Sequence, residues 1–105
     1  MPRHLIVSVV SPVTGREQEF DEWYVSTHIP EVLALDGYQS ATRYAPRNSL
    51  PGLPPGPTGY MTLFEVETQD VNQALDTLAA ALPNLTTSDA ADLGTAYVRA
   101  YVRAD

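Results

Sequence analysis

The sequence predicts one α+β domain over residues 1–105, with the element order β-α-β-β-α-β. Three observations carry this prediction. Short runs rich in β-branched residues alternate with segments in which apolar residues recur every three to four positions. Prolines and glycines fall between these segments, where strands and helices end. No composition shift or linker divides the chain.

Composition limits the partners and the chemistry. The formal net charge of -7 argues against nucleic acid, whose phosphates need a basic surface, and against anionic membranes. The chain has no cysteine, which excludes disulfides, thiolate metal ligands and cysteine nucleophiles. All six basic residues are arginines, so Schiff-base chemistry and a P-loop lysine are excluded as well.

The chain starts Met-Pro-Arg-His and passes directly into an apolar strand. This start lacks the long apolar segment of a signal peptide, and no apolar run reaches the length of a membrane span. We therefore expect a cytoplasmic protein.

The first strand and the first helix should lie on either side of Ser11-Pro12. His4–Val10 is rich in β-branched residues and too short for a helix. From Thr14 onward, aromatic residues recur at helical spacing, with acidic residues in the first turns. Since Pro30 cannot donate a helical hydrogen bond, this helix should end or kink near Ser26–His28.

The middle of the chain should form a short helix and a strand pair. Pro30–Leu35 can form the helix, and Asp36-Gly37 closes it. Tyr38–Ala45 alternates and is predicted to be the second strand. Pro46–Pro57 holds five prolines and two glycines, which indicates a semi-rigid loop. Tyr60–Glu67 is predicted to be the third strand.

The last third of the chain has the clearest helix. Thr68 or Asp70 can cap it, and apolar residues follow the i, i+3, i+4, i+7 pattern through Val71–Leu82. A proline then ends the pattern. Asn84–Asp92 is polar and should be irregular, whereas Ala96–Arg103 alternates and should form the last strand.

Strand alternation sorts the side chains of the sheet onto two faces. Residues suited to packing beneath two helices share one face: Leu5, Val7, Val9, Met61, Leu63, Ala96, Val98, Ala100 and Val102. The opposite face carries aromatic, hydroxyl and arginine side chains: Ile6, Ser8, Val10, Tyr38, Ser40, Thr42, Tyr44, Tyr60, Thr62, Phe64, Tyr97, Arg99, Tyr101 and Arg103.

That second face carries more aromatic area than a soluble monomer usually exposes. We therefore expect a homodimer that buries it, sheet against sheet, because two-fold dimers are the commonest oligomers. The alternative is that some of its tyrosines are simple cross-strand pairs on the surface.

The segment Glu19–Tyr44 (EFDEWYVSTHIPEVLALDGYQSATRY) resembles the EthD-like branch of the dimeric α+β barrel superfamily. The pattern combines an aromatic pair, a histidine before a proline, a leucine-rich turn, a glycine and an Arg-Tyr pair: Trp23-Tyr24, His28 and Pro30, Val32–Leu35, Gly37 and Arg43-Tyr44. The resemblance implies a ferredoxin-like domain with a four-stranded antiparallel sheet. It also implies a sheet-to-sheet dimer and a small cavity lined by the helix histidine and sheet aromatics. Relatives in the wider superfamily include cofactor-free oxygenases, lactone isomerases, polyketide cyclases and haem-binding enzymes.

His28 is the first candidate for catalysis, since an imidazole can exchange protons near neutral pH. A structural histidine that caps the interrupted helix is the alternative. Tyr24, one turn earlier, can donate a hydrogen bond to a developing oxyanion. Arg99 can hold a substrate oxygen or form a salt bridge in the dimer, whereas Arg43 should form a salt bridge on the helix side.

The walls of the cavity should come from aromatic residues of the first helix and the sheet: Phe20, Trp23, Tyr38, Tyr44, Tyr60, Phe64, Tyr97 and Tyr101. His4 is expected at the surface. Two distant histidines without cysteine or a metal-binding spacing argue against a protein-bound metal. No nucleotide-binding or nucleophile-elbow motif is present.

We therefore expect an enzyme without cofactor or metal, acting on a small, partly apolar aromatic, polyketide or lactone-like ligand. General acid–base chemistry by His28 fits cyclisation, isomerisation, dehydration or oxygenation. The Pro-rich loop would cover the cavity mouth. The alternatives are a non-catalytic small-molecule-binding dimer, a purely structural dimer and, less favoured, a haem protein with His28 as axial ligand.

Overall fold

The structure, a computed structural model, describes residues 3–104. It is an α+β fold with one four-stranded antiparallel sheet of order β2-β3-β1-β4, which is compatible with the predicted ferredoxin-like fold. None of the helices within this range has the length and apolarity needed to cross a membrane. The elements are β1 (Arg3–Pro12), α1 (Glu17–Trp23), a π-helical turn (Tyr24–His28), α2 (Ile29–Leu33), β2 (Tyr38–Tyr44), β3 (Tyr60–Glu67), α3 (Val71–Ala81), a 3-10 turn (Leu82–Asn84) and β4 (Ala91–Tyr101).

The last strand differs most from the prediction. It begins at Ala91, which pairs with Pro12, and not at the predicted Ala96. A bulge between Asp92 and Tyr97 shifts the register with β1. Because bulged residues have no opposite partner, the alternating pattern is lost there and the sequence resembles a loop.

The predicted faces of the sheet are wrong for β1 and β3 and for the start of β2. The residues beneath the helices include Ile6, Ser8, Val10, Tyr38, Tyr60, Thr62 and Phe64. The opposite face, here called the outer face, includes Leu5, Val7, Val9, Thr42, Tyr44, Met61, Leu63, Arg99 and Tyr101. Since β1 is apolar on both sides and Val7 and Val9 are themselves buried, alternation alone could not orient it.

The buried side chains form two clusters on the helix side of the sheet. The larger lies beneath α2 and α3: Ile6, Val32, Tyr38, Phe64, Val66, Ala74 and Leu78. The smaller lies beneath α1 and the π-helical turn: Val10, Phe20, Tyr24, Ala90 and Ala91. The candidate site lies at the smaller cluster.

Tyr38 anchors the larger cluster. Its hydroxyl donates a hydrogen bond to the carbonyl of Ala74 at 2.9 Å, and burial raises its pKa to about 12. Helix α3 starts as predicted from one of the two candidate caps, because the Asp70 carboxylate accepts a hydrogen bond from Asn72 N.

The Pro-rich connection between β2 and β3 is exposed along residues 45–58. None of its residues lines the cavities described below. Within the part of the chain that the structure describes, the predicted cover over the cavity mouth is therefore not formed by this loop.

Candidate active site

The helix that carries His28 passes through a π turn just before Pro30. The N–H of Ile29 donates to the carbonyl of Tyr24, five residues earlier. In a regular α-helix the ring of Pro30 would clash with the carbonyl of Ser26. The wider turn relieves that clash, so the helix continues where the sequence predicts an end or kink. Single π turns inside helices occur frequently at functional sites.

The π turn stacks His28 against the two residues that precede it by one turn. The His28 ring lies 4.9 Å from the ring of Trp23, nearly parallel at 29°. Its centroid is also 4.9 Å from that of Tyr24, at 54°. The wider turn thus brings residues four and five positions back into contact with the same imidazole.

A cavity of about 250 Å³, here called the sheet lobe, lies beside this turn. Its polar side chains include Ser8, Tyr24 and His28, and the remaining lining is mostly apolar. Tyr97 also borders the lobe, but it pairs with Val9 and its side chain belongs to the outer face. The structure therefore brings three of the predicted site residues together on the helix side: Trp23, Tyr24 and His28.

A second cavity of about 210 Å³, here called the loop lobe, adjoins the first. Both lobes are bordered by Trp23, His28, Leu82, Ala91 and Leu93. The loop lobe adds Leu85 and residues 86–88, from the segment that leads into β4. His28 therefore stands at the junction of two neighbouring spaces.

Two buried polar atoms of the sheet lobe lack a hydrogen-bond partner among the described residues: Tyr24 Oη and His28 Nδ1. Buried polar atoms are normally paired, because an unpaired one costs about 1–3 kcal/mol. The other unpartnered atoms belong to His4, Arg43 and Thr62, which do not line either lobe. Because neither atom has accessible surface, a ligand in the sheet lobe reaches this pair only when a neighbouring side chain moves aside.

Burial sets the charge of His28. Removal from water lowers the pKa of its imidazole below the usual 6.5, and the nearby Glu31 carboxylate opposes this shift. The net direction is downward, so the imidazole is neutral at pH 7 and can accept a proton.

Glu31 and Trp23 also hold the wall of the loop lobe. The Glu31 carboxylate accepts hydrogen bonds from Thr86 N at 2.9 Å and Thr86 Oγ1 at 2.8 Å. The indole N–H of Trp23 donates to Thr86 O at 3.1 Å. Both helical segments are thereby tied to the same loop residue.

Arg43 supports the site from the sheet. Its side chain is 18% exposed and pairs with the Asp21 carboxylate at 2.6 Å, as predicted for a salt bridge on the helix side. Its guanidinium carbon lies 5.1 Å from the ring centroid of Tyr24 and 5.6 Å from that of Phe20. Phe20 in turn contacts Tyr60, so these aromatic residues back the Tyr24 ring and do not line either lobe.

The remaining predicted site residues lie elsewhere. Tyr38 and Phe64 belong to the larger core cluster. The side chains on the outer face are those of Tyr44, Tyr97, Arg99 and Tyr101. Arg99 and His28 are therefore on opposite sides of the sheet, and one chain does not form the expected hollow that both would share.

Sequence reasoning missed several lining residues. Ser8 had a visible signal, as a hydroxyl inside an otherwise apolar strand. Leu82, Leu85 and Leu93 had none, because their position depends on how the segment after α3 folds back over the helix.

Within residues 3–104, no three His, Asp or Glu side chains are grouped so that they could hold a metal ion. No protein-family model, curated protein or solved structure matches the chain. The resemblance to the EthD-like branch thus stays a prediction.

Proposed function

We propose that this protein is an acid–base enzyme that needs no cofactor and acts on a small, partly apolar carbonyl or phenol compound. One observation carries the proposal: Tyr24 Oη and His28 Nδ1 are buried, unpartnered and on adjacent rings beside a mostly apolar cavity. A neutral base next to a hydroxyl donor is the arrangement that proton abstraction beside a carbonyl requires.

In the proposed step, His28 Nδ1 accepts a proton from the carbon next to a substrate carbonyl. The electron pair of that C–H bond forms a C=C bond, and the carbonyl electrons move to oxygen to give an enolate. The Tyr24 hydroxyl donates a hydrogen bond to the enolate oxygen. The imidazolium then returns the proton to another atom, which completes an isomerisation and can also drive cyclisation or dehydration.

The proposal includes a homodimer formed through the outer face. Leu5, Val7 and Val9 lie on this side, but Val7 and Val9 are already buried in the single chain, so the exposed apolar area comes from their neighbours. Met61 is 38% exposed there, and Tyr44 and Tyr101 are about half exposed. A monomer would leave this surface in water, and the EthD-like resemblance supports the same pairing.

The reaction can be tested without the natural substrate. The probe is 1-tetralone, a neutral aromatic ketone whose protons next to the carbonyl exchange slowly with D₂O and can be followed by NMR. The protein should accelerate this exchange. His28→Gln should lower the acceleration by about a hundredfold or more.

The chain offers two matched controls. His4→Gln changes the other histidine, and Tyr44→Phe removes a hydroxyl from the outer face, so both should keep the parent rate. Tyr24→Phe should lose about a hundredfold. Equal rates for His28→Gln and His4→Gln would overturn the role of His28. If the parent protein binds 1-tetralone but does not accelerate its exchange with D₂O, the protein is a non-catalytic binding protein.

A further inference from the structure

We infer that the substrate is a neutral molecule of two parts, an oxygen-bearing ring in the sheet lobe and an apolar chain in the loop lobe. This inference rests on the proposed function, since it concerns the same site. It is carried by the charge, the hydrogen bonding and the size of the two lobes.

The charge of the lining selects a neutral ligand. No Asp, Glu or Arg lines either lobe in the described part of the chain, and burial keeps His28 neutral. The Arg43 guanidinium, 5.1 Å from the Tyr24 ring centroid, is already paired with Asp21. A carboxylate or ammonium group in either lobe would therefore lose its hydration without gaining a counter-ion.

The two lobes differ in the hydrogen bonds they can offer. Tyr24 and His28, whose Oη and Nδ1 atoms are buried and unpartnered, border the sheet lobe. The loop lobe shares His28 and has the exposed Thr87 hydroxyl at its edge, but the N–H, hydroxyl and carbonyl of Thr86 are bonded within the protein, and Ser88 Oγ accepts from Ala90 N. An oxygen-bearing group is thus best satisfied in the sheet lobe and an apolar group in the loop lobe.

The loop lobe has the lining and the size for an alkyl chain. Leu82, Leu85 and Leu93 contribute to its wall. An apolar cavity of about 150 Å³ holds one benzene molecule, so about 210 Å³ holds a chain of several carbons. Leu93 is 70% exposed on the bulge of β4, and a chain bound there would cover part of it.

The experiment uses 4-ethylphenol, 4-butylphenol and 4-hexylphenol, which are uncharged at pH 7.5. Dissociation constants come from calorimetry, with the fluorescence of Trp23, the only tryptophan, as a second readout at the junction of the lobes. The affinity should rise about fourfold for each added methylene. The anion 4-hexylbenzoate should bind at least tenfold more weakly than 4-hexylphenol.

Two variants test whether the alkyl chain of the phenol lies in the loop lobe. Thr87→Phe adds a ring at an exposed position that lines only this lobe, and Thr14→Phe adds the same ring in an exposed turn far from it in sequence. Thr87→Phe should remove most of the gain from ethyl to hexyl and leave 4-ethylphenol unchanged. Thr14→Phe should behave as the parent.

The outcomes separate this inference from the proposed function. Equal affinities along the series, equal binding of the benzoate, or an unchanged series in Thr87→Phe would overturn the inference alone. A rising series combined with 1-tetralone exchange that is insensitive to His28→Gln would instead overturn the proposed function. Failure of all the phenols to bind, together with no acceleration of 1-tetralone exchange, would reject both.

Discussion

The guanidinium carbon of Arg43 lies 4.4 Å from the ring centroid of Tyr60. The same group also contacts the rings of Phe20 and Tyr24 and pairs with Asp21. The Arg43 guanidinium therefore packs against all three aromatic rings behind the candidate site.

Arg43→Lys should destabilise the protein although it keeps the charge. A lysine ammonium cannot stack its plane on several rings, and we expect a loss of about 1–2 kcal/mol in the free energy of unfolding. Urea denaturation would measure it. Arg47→Lys, in the exposed Pro-rich loop, is the matched control and should change little. Equal stability of the two variants would show that the stacking contributes nothing.

The stability of the protein should depend on pH through His28. Burial lowers its pKa in the folded state below the unfolded value of 6.5, so the unfolded chain binds the proton more readily. The free energy of unfolding should fall as the pH drops below about 6.5, and it should level off below the folded pKa. Urea midpoints between pH 7.5 and 5 would record this slope.

His28→Gln should flatten that slope, and His4→Gln should keep it. Asp89, whose pKa is lowered by the hydrogen bond from Arg16, adds a dependence only at pH values near and below 3.8. A slope that is unchanged in His28→Gln would contradict the assignment.

Pro30→Ala should convert the π turn toward a regular helix. The new N–H can donate to the carbonyl of Ser26, and loss of the extra residue in the turn would rotate His28 by about 100° around the helix axis. Stability should be equal or higher, whereas 1-tetralone exchange should fall by about a hundredfold, because the base is displaced. Pro46→Ala, in the exposed loop, is the control. Parent-like exchange in Pro30→Ala would show that the π turn is not needed.

Charged substitutions can test whether the outer face forms the proposed dimer. Met61→Arg places a cation in the middle strands of this face, next to Val9 and Tyr44, and should turn the proposed dimer into monomers. Leu50→Arg adds the same charge to the exposed loop and should leave the dimer intact. Sedimentation velocity at micromolar concentration distinguishes the two. A monomeric parent protein would contradict the dimer.

Elements with strong local signals could be predicted from the sequence. Strand β3 has the predicted bounds, Tyr60–Glu67, and α3 starts where Asp70 caps it. The start of β4 could not be predicted, because a bulge removes the alternation that identifies a strand. The faces of β1 could not be predicted either, because valines occupy both of its sides and packing alone decides which side meets the helices.

Only the part of the site that lies on the first helix could be predicted from the sequence. Helical spacing placed Trp23, Tyr24 and His28 together, but it predicted an interrupted helix where the structure has a π turn. The leucines of the loop lobe come from a segment about 60 residues later, which long-range hydrogen bonds to Thr86 hold in place. No pattern local to that segment indicates where it lies.

Thr86 has a consequence for the shape of the loop lobe before any ligand binds. Its three hydrogen bonds join one wall of that lobe to Trp23 and Glu31, on two successive helical segments. Since all of them converge on one residue, this wall is held in place in the ligand-free protein. A ligand then need not order the segment when it binds, which lowers the conformational entropy lost in the complex.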